Sequence, residues 1–211
     1  MDSGQGLSKQ RLEALSDAIF AFAMTLLVLD VKIPKMAHEL VTPDVLALTL
    51  RDLWPKFFTF VMSFVMLGLF WIAHHGYSHF LKRIDRPFMW INLLFLMVVV
   101  FVPFSTDFLG DYPDQRIAAL VYGCNMLGLG LTLYWQWAYA TGGGRRLVGP
   151  DVEQKLVRKG KQRILTGVAV ISGAMLLALV NPAFSLVIYL LFPVAYLRPG
   201  YIDRHWTHSH G

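Results

Sequence analysis

The chain has few charged residues and almost no cysteine. Charged residues make up 16% of its 211 residues, whereas hydrophobic residues make up 55%. A water-soluble domain of this size rarely concentrates so much apolar sequence into long uncharged runs. The single cysteine, Cys124, excludes an internal disulfide and a cysteine metal cluster. These shortages favour an integral membrane protein.

The sequence also lacks the short motifs of common enzymes and of pore-loop channels. It has no Gly-x-Ser-x-Gly, no phosphate-binding glycine loop and no dinucleotide fingerprint. It has no TVGYG-like segment that could form a filter of backbone carbonyls. We therefore expect no enzymatic activity and no cofactor, and any ion selectivity must come from side chains.

Long uncharged runs predict an all-α membrane protein with six spans in a single domain over residues 1–211. A span needs about 20 apolar residues. The run from Ile164 to Leu197 has no charge and, at about 50 Å as one helix, is too long for one crossing. Asn181-Pro182 at its centre predicts a turn between two short spans. The predicted spans are residues 12–31, 56–80, 88–105, 117–140, 164–180 and 183–197.

The connecting segments carry their own predictions. Residues 44–53 are expected to form a short interfacial helix, and residues 105–114, which begin with Ser105 and Thr106, an aqueous turn. The C-terminal tail contains three histidines and is expected to be solvated rather than metal-binding. These histidines are His205, His208 and His210.

Basic residues are distributed unevenly between the two sides of the predicted membrane domain. With six spans, 14 of the 19 lysines and arginines lie on the side that holds both termini. This bias predicts cytoplasmic termini in a cell (plasma or inner) membrane protein. Because the basic residues lie in loops between spans, the net charge of +5 has a topological explanation and we expect no nucleic-acid partner.

The first span has a stripe of large apolar side chains. Phe22, Leu26 and Leu29 fall at i, i+4 and i+7, and Thr25 lies beside them. On the residues alone, such a stripe is typical of an ordinary core or of lipid contact.

Asp17 is the only acidic residue inside the apolar part of this span. A membrane-embedded aspartate can relay protons or bind a cation, or it can act as a structural polar hub that pairs with a donor on a neighbouring helix. Arg11 and Ser16 lie nearby in the sequence, which favours the hub.

The second predicted span ends in the sequence WIAHH, which contains Trp71, His74 and His75. Histidine is a common metal ligand. Adjacent histidines on a helix point about 100° apart, however, and no acid or cysteine stands at a helpful spacing. We therefore predict hydrogen bonding rather than metal binding for this pair.

The sequence RLEALSDAIFAFAMTLLVLD at residues 11–30 resembles the first-helix signature of the transmembrane protein 175 family. This family comprises potassium channels of endosomes and lysosomes and their prokaryotic relatives. Its motif is Arg-x-x-x-Phe-Ser-Asp, which Arg11, Ser16 and Asp17 match, while Leu15 stands where phenylalanine is usual. Residues 71–75 and 92–106 are similar to the second and third helices of the family, so the resemblance covers roughly residues 8–110.

The resemblance implies a homotetramer in the lipid bilayer whose first helices line a central pore. It implies a potassium-selective leak channel with potassium as the permeant ion and with a ring of apolar side chains as the constriction. Under this reading Phe22, Thr25, Leu26 and Leu29 line the pore, although family members often carry isoleucine or leucine where this chain has Phe22. The polar residues Arg11, Ser16 and Asp17 would then fix the first helix against the region 71–75.

Two other functions remain open on the sequence. A proton-coupled secondary transporter would use Asp17, although such proteins usually show inverted repeats and broken helices, and neither is clear here. A membrane enzyme would need a polar catalytic cluster, and the His74–His75 pair lacks a partner acid in the sequence.

Overall fold

The computed structural model describes residues 9–34, 41–143, 147–149 and 152–196, and these residues are mostly helical. These residues form the α-helices α1 (Lys9–Leu26), α2 (Pro43–Asp52), α3 (Trp54–His79), α4 (Arg86–Val100), α5 (Val102–Asp111), α6 (Arg116–Thr141), α7 (Gln154–Ala178) and α8 (Pro182–Tyr196). A 3-10 helix, Leu27–Asp30, continues α1. Strand-like pairing within the described residues is limited to one bridge between Leu81 and Val148. The tail histidines lie outside the described residues.

Within the described residues, five helical stretches are long and apolar enough to cross a membrane. They are Lys9–Asp30, Trp54–His79, Arg86–Asp111, Arg116–Thr141 and Gln154–Ala178. The third of these joins α4 and α5, and α8 is apolar but shorter. The all-α class and the multi-pass membrane character expected from the sequence are therefore confirmed for the part of the chain that the structure describes.

Two connections form as the sequence predicted. The short helix expected at residues 44–53 is α2, which begins with the hydroxyl of Thr42 accepting the backbone N–H of Val45. The break expected at Asn181-Pro182 separates α7 from α8, and Asn181 Oδ1 accepts the backbone N–H of Ala183 at 2.9 Å. An Asn side chain that bonds two residues ahead is a typical turn former.

The predicted aqueous turn at residues 105–114 begins later than expected. Ser105 and Thr106 are buried in α5, which runs on to Asp111. Both hydroxyls donate to the carbonyl of Val102, and Thr106 Oγ1 also lies 2.8 Å from Ser63 Oγ on α3. Because these bonds satisfy the hydroxyls, two polar residues are accommodated inside a packed helix.

Asp85 both begins α4 and attaches it to α6. Its Oδ1 accepts the backbone N–H of Phe88 at 2.9 Å, and its Oδ2 accepts the hydroxyl of Tyr139 at 2.8 Å. A carboxylate before the first turn satisfies one of the unpaired N–H groups of the helix. This residue therefore fixes the position of α4 relative to the end of α6.

The two ends of the helix bundle differ in charge. At one end Tyr77 on α3 donates to the carbonyl of Gly160 at 3.5 Å, and Trp137 on α6 donates to the carbonyl of Val157 at 3.3 Å, both on α7. We call this the basic end because α7 carries five basic residues in its first ten positions, namely Lys155, Arg158, Lys159, Lys161 and Arg163.

The opposite end carries an ion-paired group of side chains. Lys56 at the start of α3 reaches Asp111 at 2.5 Å and Asp107 at 3.7 Å, both on α5. Arg116 at the start of α6 donates to the carbonyl of Val180 at 3.4 Å. These contacts connect the helix termini at this end.

Glycine allows α6 to approach α7 and α8 closely. A Cβ at Gly123 would overlap Tyr189 Oη on α8 and Met175 Cγ on α7. Tyr189 is completely buried, and its hydroxyl donates to the carbonyl of Ala119 at 3.3 Å. The absence of a side chain at Gly123 therefore makes room for a buried, hydrogen-bonded tyrosine.

We expect Gly123→Ala to lower the free energy of unfolding by about 1–3 kcal/mol, because the added methyl group overpacks the interface. The measurement is thermal or denaturant unfolding of the purified protein in detergent. The matched control is Gly173→Ala on α7, where an added Cβ meets nothing within 4 Å. That control should be neutral or stabilising, by up to about 1 kcal/mol from helix propensity. Equal stability of Gly123→Ala and Gly173→Ala would contradict the close packing.

Candidate functional site

Helix α1 has one face buried in the helix bundle. The side chains of Phe20, Ala23 and Leu27 are each only 1% exposed, and Ser16 is equally buried. Phe20 packs against the rings of Phe95 and His74, at centroid distances of 5.8 and 6.3 Å. Because these residues repeat every three or four positions, they form one helical stripe that faces α3 and α4.

The other face of α1 carries the predicted apolar stripe, and the rest of the chain leaves it largely uncovered. Phe22 is 60% exposed and Leu29 is 56% exposed, and Thr25 is also exposed, whereas Leu26 is half-buried. In the 3-10 helix, side chains three residues apart are nearly eclipsed, so Leu29 stays in line with Leu26. The four residues therefore share one side of the helix.

Thr25 has an internal hydrogen bond that orients its hydroxyl. Its Oγ1 donates to the carbonyl of Phe22 at 2.8 Å. The proton of the hydroxyl points back along the helix, and the lone pairs of the oxygen are directed away from it. An exposed oxygen acceptor is thereby presented beside the apolar stripe.

A buried chain of three polar side chains connects α1, α4 and α3. Ser16 Oγ accepts from Asn92 Nδ2 at 3.2 Å and itself donates to the carbonyl of Leu12 at 2.9 Å. Asn92 Oδ1 lies 2.9 Å from His74 Nε2, so the imidazole is the donor at that nitrogen. Ser16, His74 and Asn92 are 1%, 6% and 0% exposed, respectively.

A second contact between α1 and α3 lies at the surface of the helix bundle. Trp71 Nε1 donates to Asp17 Oδ1 at 2.8 Å. The ring of His75 stacks on Trp71 at a centroid distance of 5.7 Å. Arg11 is exposed in the first turn of α1. Helix α1 is thus attached to α3 both inside the helix bundle and at its surface.

Asn92 is the residue that the sequence did not assign to this group. It interrupts an apolar run, a pattern that indicates an interhelical hydrogen bond. Asn125 interrupts another run and donates to the carbonyl of Val98 at 3.2 Å. The sequence alone gives no reason to assign the two asparagines to different partners.

The described residues contain no group of three or more His, Cys, Asp or Glu side chains that could hold a metal ion. The polar residues near α1 are instead arranged in pairs that cross between helices. Such an arrangement fixes the position and the rotation of α1.

We expect Asn92→Leu to lower the free energy of unfolding by about 1–3 kcal/mol, because it leaves Ser16 and His74 without their buried partner. The measurement is unfolding of the purified protein in detergent. A double-mutant cycle with His74→Phe provides the control. Additive losses in the cycle would show that the hydrogen bond between the two side chains contributes nothing.

Comparison with known proteins shows which family the chain resembles. Residues 11–103 match the family model described as the endosomal/lysosomal potassium channel TMEM175. A potassium channel of Streptomyces collinus is 37% identical over 161 residues, which cover 74% of this chain and 76% of that protein. A potassium channel of Chamaesiphon minutus is 39% identical over 140 residues, which cover 65% of this chain and 68% of that protein.

A solved structure agrees with the sequence relatives. The crystal structure of a lysosomal potassium-selective channel TMEM175 homolog from Chamaesiphon minutus superposes with a TM-score of 0.78. It shares 29% sequence identity and covers 90% of this chain and 96% of that chain. The chain is therefore a member of the TMEM175 family of ion channels.

Proposed function

We propose that the chain is a potassium-selective leak channel. Two relatives that match it over most of their length are named potassium channels, and a solved structure of similar fold is described as potassium-selective. Under this proposal potassium is the permeant ion. The family consists of ion channels rather than enzymes, and the absence of a cofactor stays a prediction.

One observation carries the proposal: α1 presents a large apolar face that the subunit leaves uncovered. Phe22 and Leu29 are more than half exposed, although the opposite side of the same helix is buried. Four copies of one helix can surround an axis under cyclic symmetry. We infer a homotetramer in which the exposed stripe of α1 faces this axis.

The exposed stripe has the chemistry of an apolar constriction. Rings of Phe22, Leu26 and Leu29 would narrow the pore with side chains that do not bind water, and such constrictions gate by dewetting. Potassium gives up its hydration shell at a lower cost than sodium, so a partly dehydrating ring favours potassium. The exposed oxygen of Thr25 would replace part of the lost water. Selectivity then needs no filter of backbone carbonyls.

The polar contacts of α1 would hold the helix at the required angle. The Ser16, Asn92 and His74 chain lies on the side of α1 that faces away from the stripe, and the Asp17 bond to Trp71 adds a second attachment. We propose that Arg11 and His75 belong to the same hub. A small rotation of α1 would move the stripe away from the axis.

We also propose six membrane crossings, with both termini on the cytoplasmic side of the cell membrane. The sixth would be α8, which at 15 residues is about 22 Å long and shorter than the hydrocarbon core. A short span is accommodated by local thinning of the bilayer. With an even number of crossings, both termini lie on the side of the basic end. This agrees with the distribution of lysine and arginine, which predicts that this side is cytoplasmic.

The second candidate function is a proton-coupled secondary transporter that uses Asp17. The observation that favours it is the exposure of Asp17 on α1, which leaves the carboxylate accessible. The hydrogen bond from Trp71 supports a structural role for Asp17, and we therefore rank the channel first.

We expect Phe22→Ala and Leu29→Ala to raise potassium flux severalfold and to reduce the preference for potassium over sodium, because the constriction widens. The measurement is cation flux through liposomes that contain the purified protein, under a potassium gradient and then a sodium gradient. The control is Leu176→Ala, an apolar residue that is 67% exposed on a different helix, α7. Equal fluxes in all three variants and the parent would argue against a pore on α1.

We expect Asp17→Ala to reduce the fraction of tetramer, whereas Asp17→Asn retains an acceptor for Trp71 and keeps most of it. Native mass spectrometry should report about four times the chain mass of 23.9 kDa for the parent protein. The pair of variants also separates the two functions. Loss of proton-gradient-dependent, saturable flux in Asp17→Asn, with the tetramer intact, would support the transporter instead.

A further inference from the structure

A large apolar cavity opens on the side of the bundle between α3 and the helices α6, α7 and α8. We call it the lateral cavity, and its volume is about 470 Å³. Ligand pockets typically have volumes of roughly 300–1,000 Å³. Its wall follows α3 from Phe64 to Tyr77, which corresponds to about 20 Å along the helix axis. The lateral cavity is therefore long enough for an extended chain molecule.

Small residues on α3 line the lateral cavity. Gly68 and Gly76 line it two helical turns apart, with Ile72 between them. A Cβ at Gly76 would meet nothing within 4 Å, so no neighbouring atom occupies the space beside this residue. Ile72 is 51% exposed, and it marks the open side of the cavity. The α3 wall thus faces an apolar space that opens on the surface of the bundle.

One end of the lateral cavity is polar. Arg163 lines it at the basic end of the bundle, where its Nη2 donates to the carbonyl of Tyr196 at 3.2 Å. The guanidinium carbon lies 5.5 Å from the centre of the Tyr196 ring, and Tyr196 Oη donates to the carbonyl of Arg163 at 2.8 Å. These contacts hold the guanidinium of Arg163 at the rim of an apolar space. A guanidinium has five N–H donors.

Helix α7 brings positive charge to this rim. Helix α7 contains five basic residues and no acidic residue. Lys159 lies one helical turn before Arg163 on the same face. A ligand of this cavity should therefore combine a long apolar chain with an anionic group at one end.

We propose that the lateral cavity binds an anionic phospholipid of the leaflet at the basic end. One acyl chain fills the cavity along α3, and the phosphate lies at Arg163. The length of the cavity is comparable to the roughly 15 Å of hydrocarbon in one leaflet. Basic pockets between membrane helices on the cytoplasmic side are suited to anionic headgroups. This site lies on the face of α3 that is shared with α7 and α8, and it does not depend on the proposed conduction path.

The test is lipid binding to the purified full chain in neutral detergent, followed by native mass spectrometry, with phosphatidylglycerol and phosphatidylcholine as the two probes. We expect tighter binding of phosphatidylglycerol. Arg163→Gln should weaken it about tenfold and barely affect phosphatidylcholine, because a charge-assisted bond to the phosphate is lost. Arg163→Lys should retain part of the preference.

A second variant tests the apolar part of the site separately. Gly76→Leu should weaken both lipids, because its side chain enters the cavity. The protein should fold, because leucine is a better helix former and its Cβ meets no atom. The controls are Gly173→Leu, at a second open glycine on α7, and Arg158→Gln, an exposed cation on the same helix. Neither control residue lines the cavity.

Two outcomes would overturn the proposal. If Arg158→Gln weakens phosphatidylglycerol as much as Arg163→Gln does, the attraction belongs to the charged surface and not to a site. If Gly76→Leu binds both lipids like the parent protein, no acyl chain occupies the cavity. Residues 197–211 or a neighbouring subunit would then be the occupant.

Discussion

The position of α1 depends on one buried amide. Asn92 uses both ends of its side chain, since the amide nitrogen donates to Ser16 and the amide oxygen pairs with His74. Inside a bilayer no water is available to satisfy such groups, so each must find its partner on a neighbouring helix. The geometry of these bonds leaves α1 one orientation relative to α3 and α4. The contacts on the buried side of α1 thereby determine which of its residues stay uncovered on the other side.

The coarse fold was predictable because it follows from local signals. Uncharged runs indicate the membrane helices, and Asn181-Pro182 separates α7 from α8 where turn chemistry requires it. The predicted start of the aqueous turn after the third span was wrong. A polar residue predicts water only when nothing in the helix satisfies it, and the hydroxyls of Ser105 and Thr106 bond to the carbonyl of Val102.

The candidate site was predictable only in part, and the limit has a physical cause. The spacing of Phe22, Leu26 and Leu29 places them on one face, but spacing alone does not distinguish a core face from an uncovered one. The role of Asn92 depends on which helix lies opposite it. Its partner Ser16 is 76 residues away in the sequence, so only the packing of the helices brings the two together. The resemblance to a known family supplied part of what periodicity did not.

Glycine has two opposite uses in this bundle. At Gly123 the missing side chain brings three helices into contact, with Tyr189 and Met175 occupying the space. At Gly76 the missing side chain leaves a space that no described residue fills. The lateral cavity was therefore not evident from the sequence, because the residue type is the same in both places. Only the surrounding helices decide whether a small residue closes an interface or opens one.

The uncovered face of α1 has a consequence for how such proteins change over generations. Phe22 and Leu29 touch little within their own chain, so replacing one of them by another apolar residue lowers the stability of the folded chain little. The opposite face tolerates no comparable change, because Ser16, Phe20 and their partners are packed and hydrogen-bonded. Mutation can therefore alter the diameter of the proposed constriction while the fold is preserved. Permeation properties can diverge among related chains faster than their architecture does.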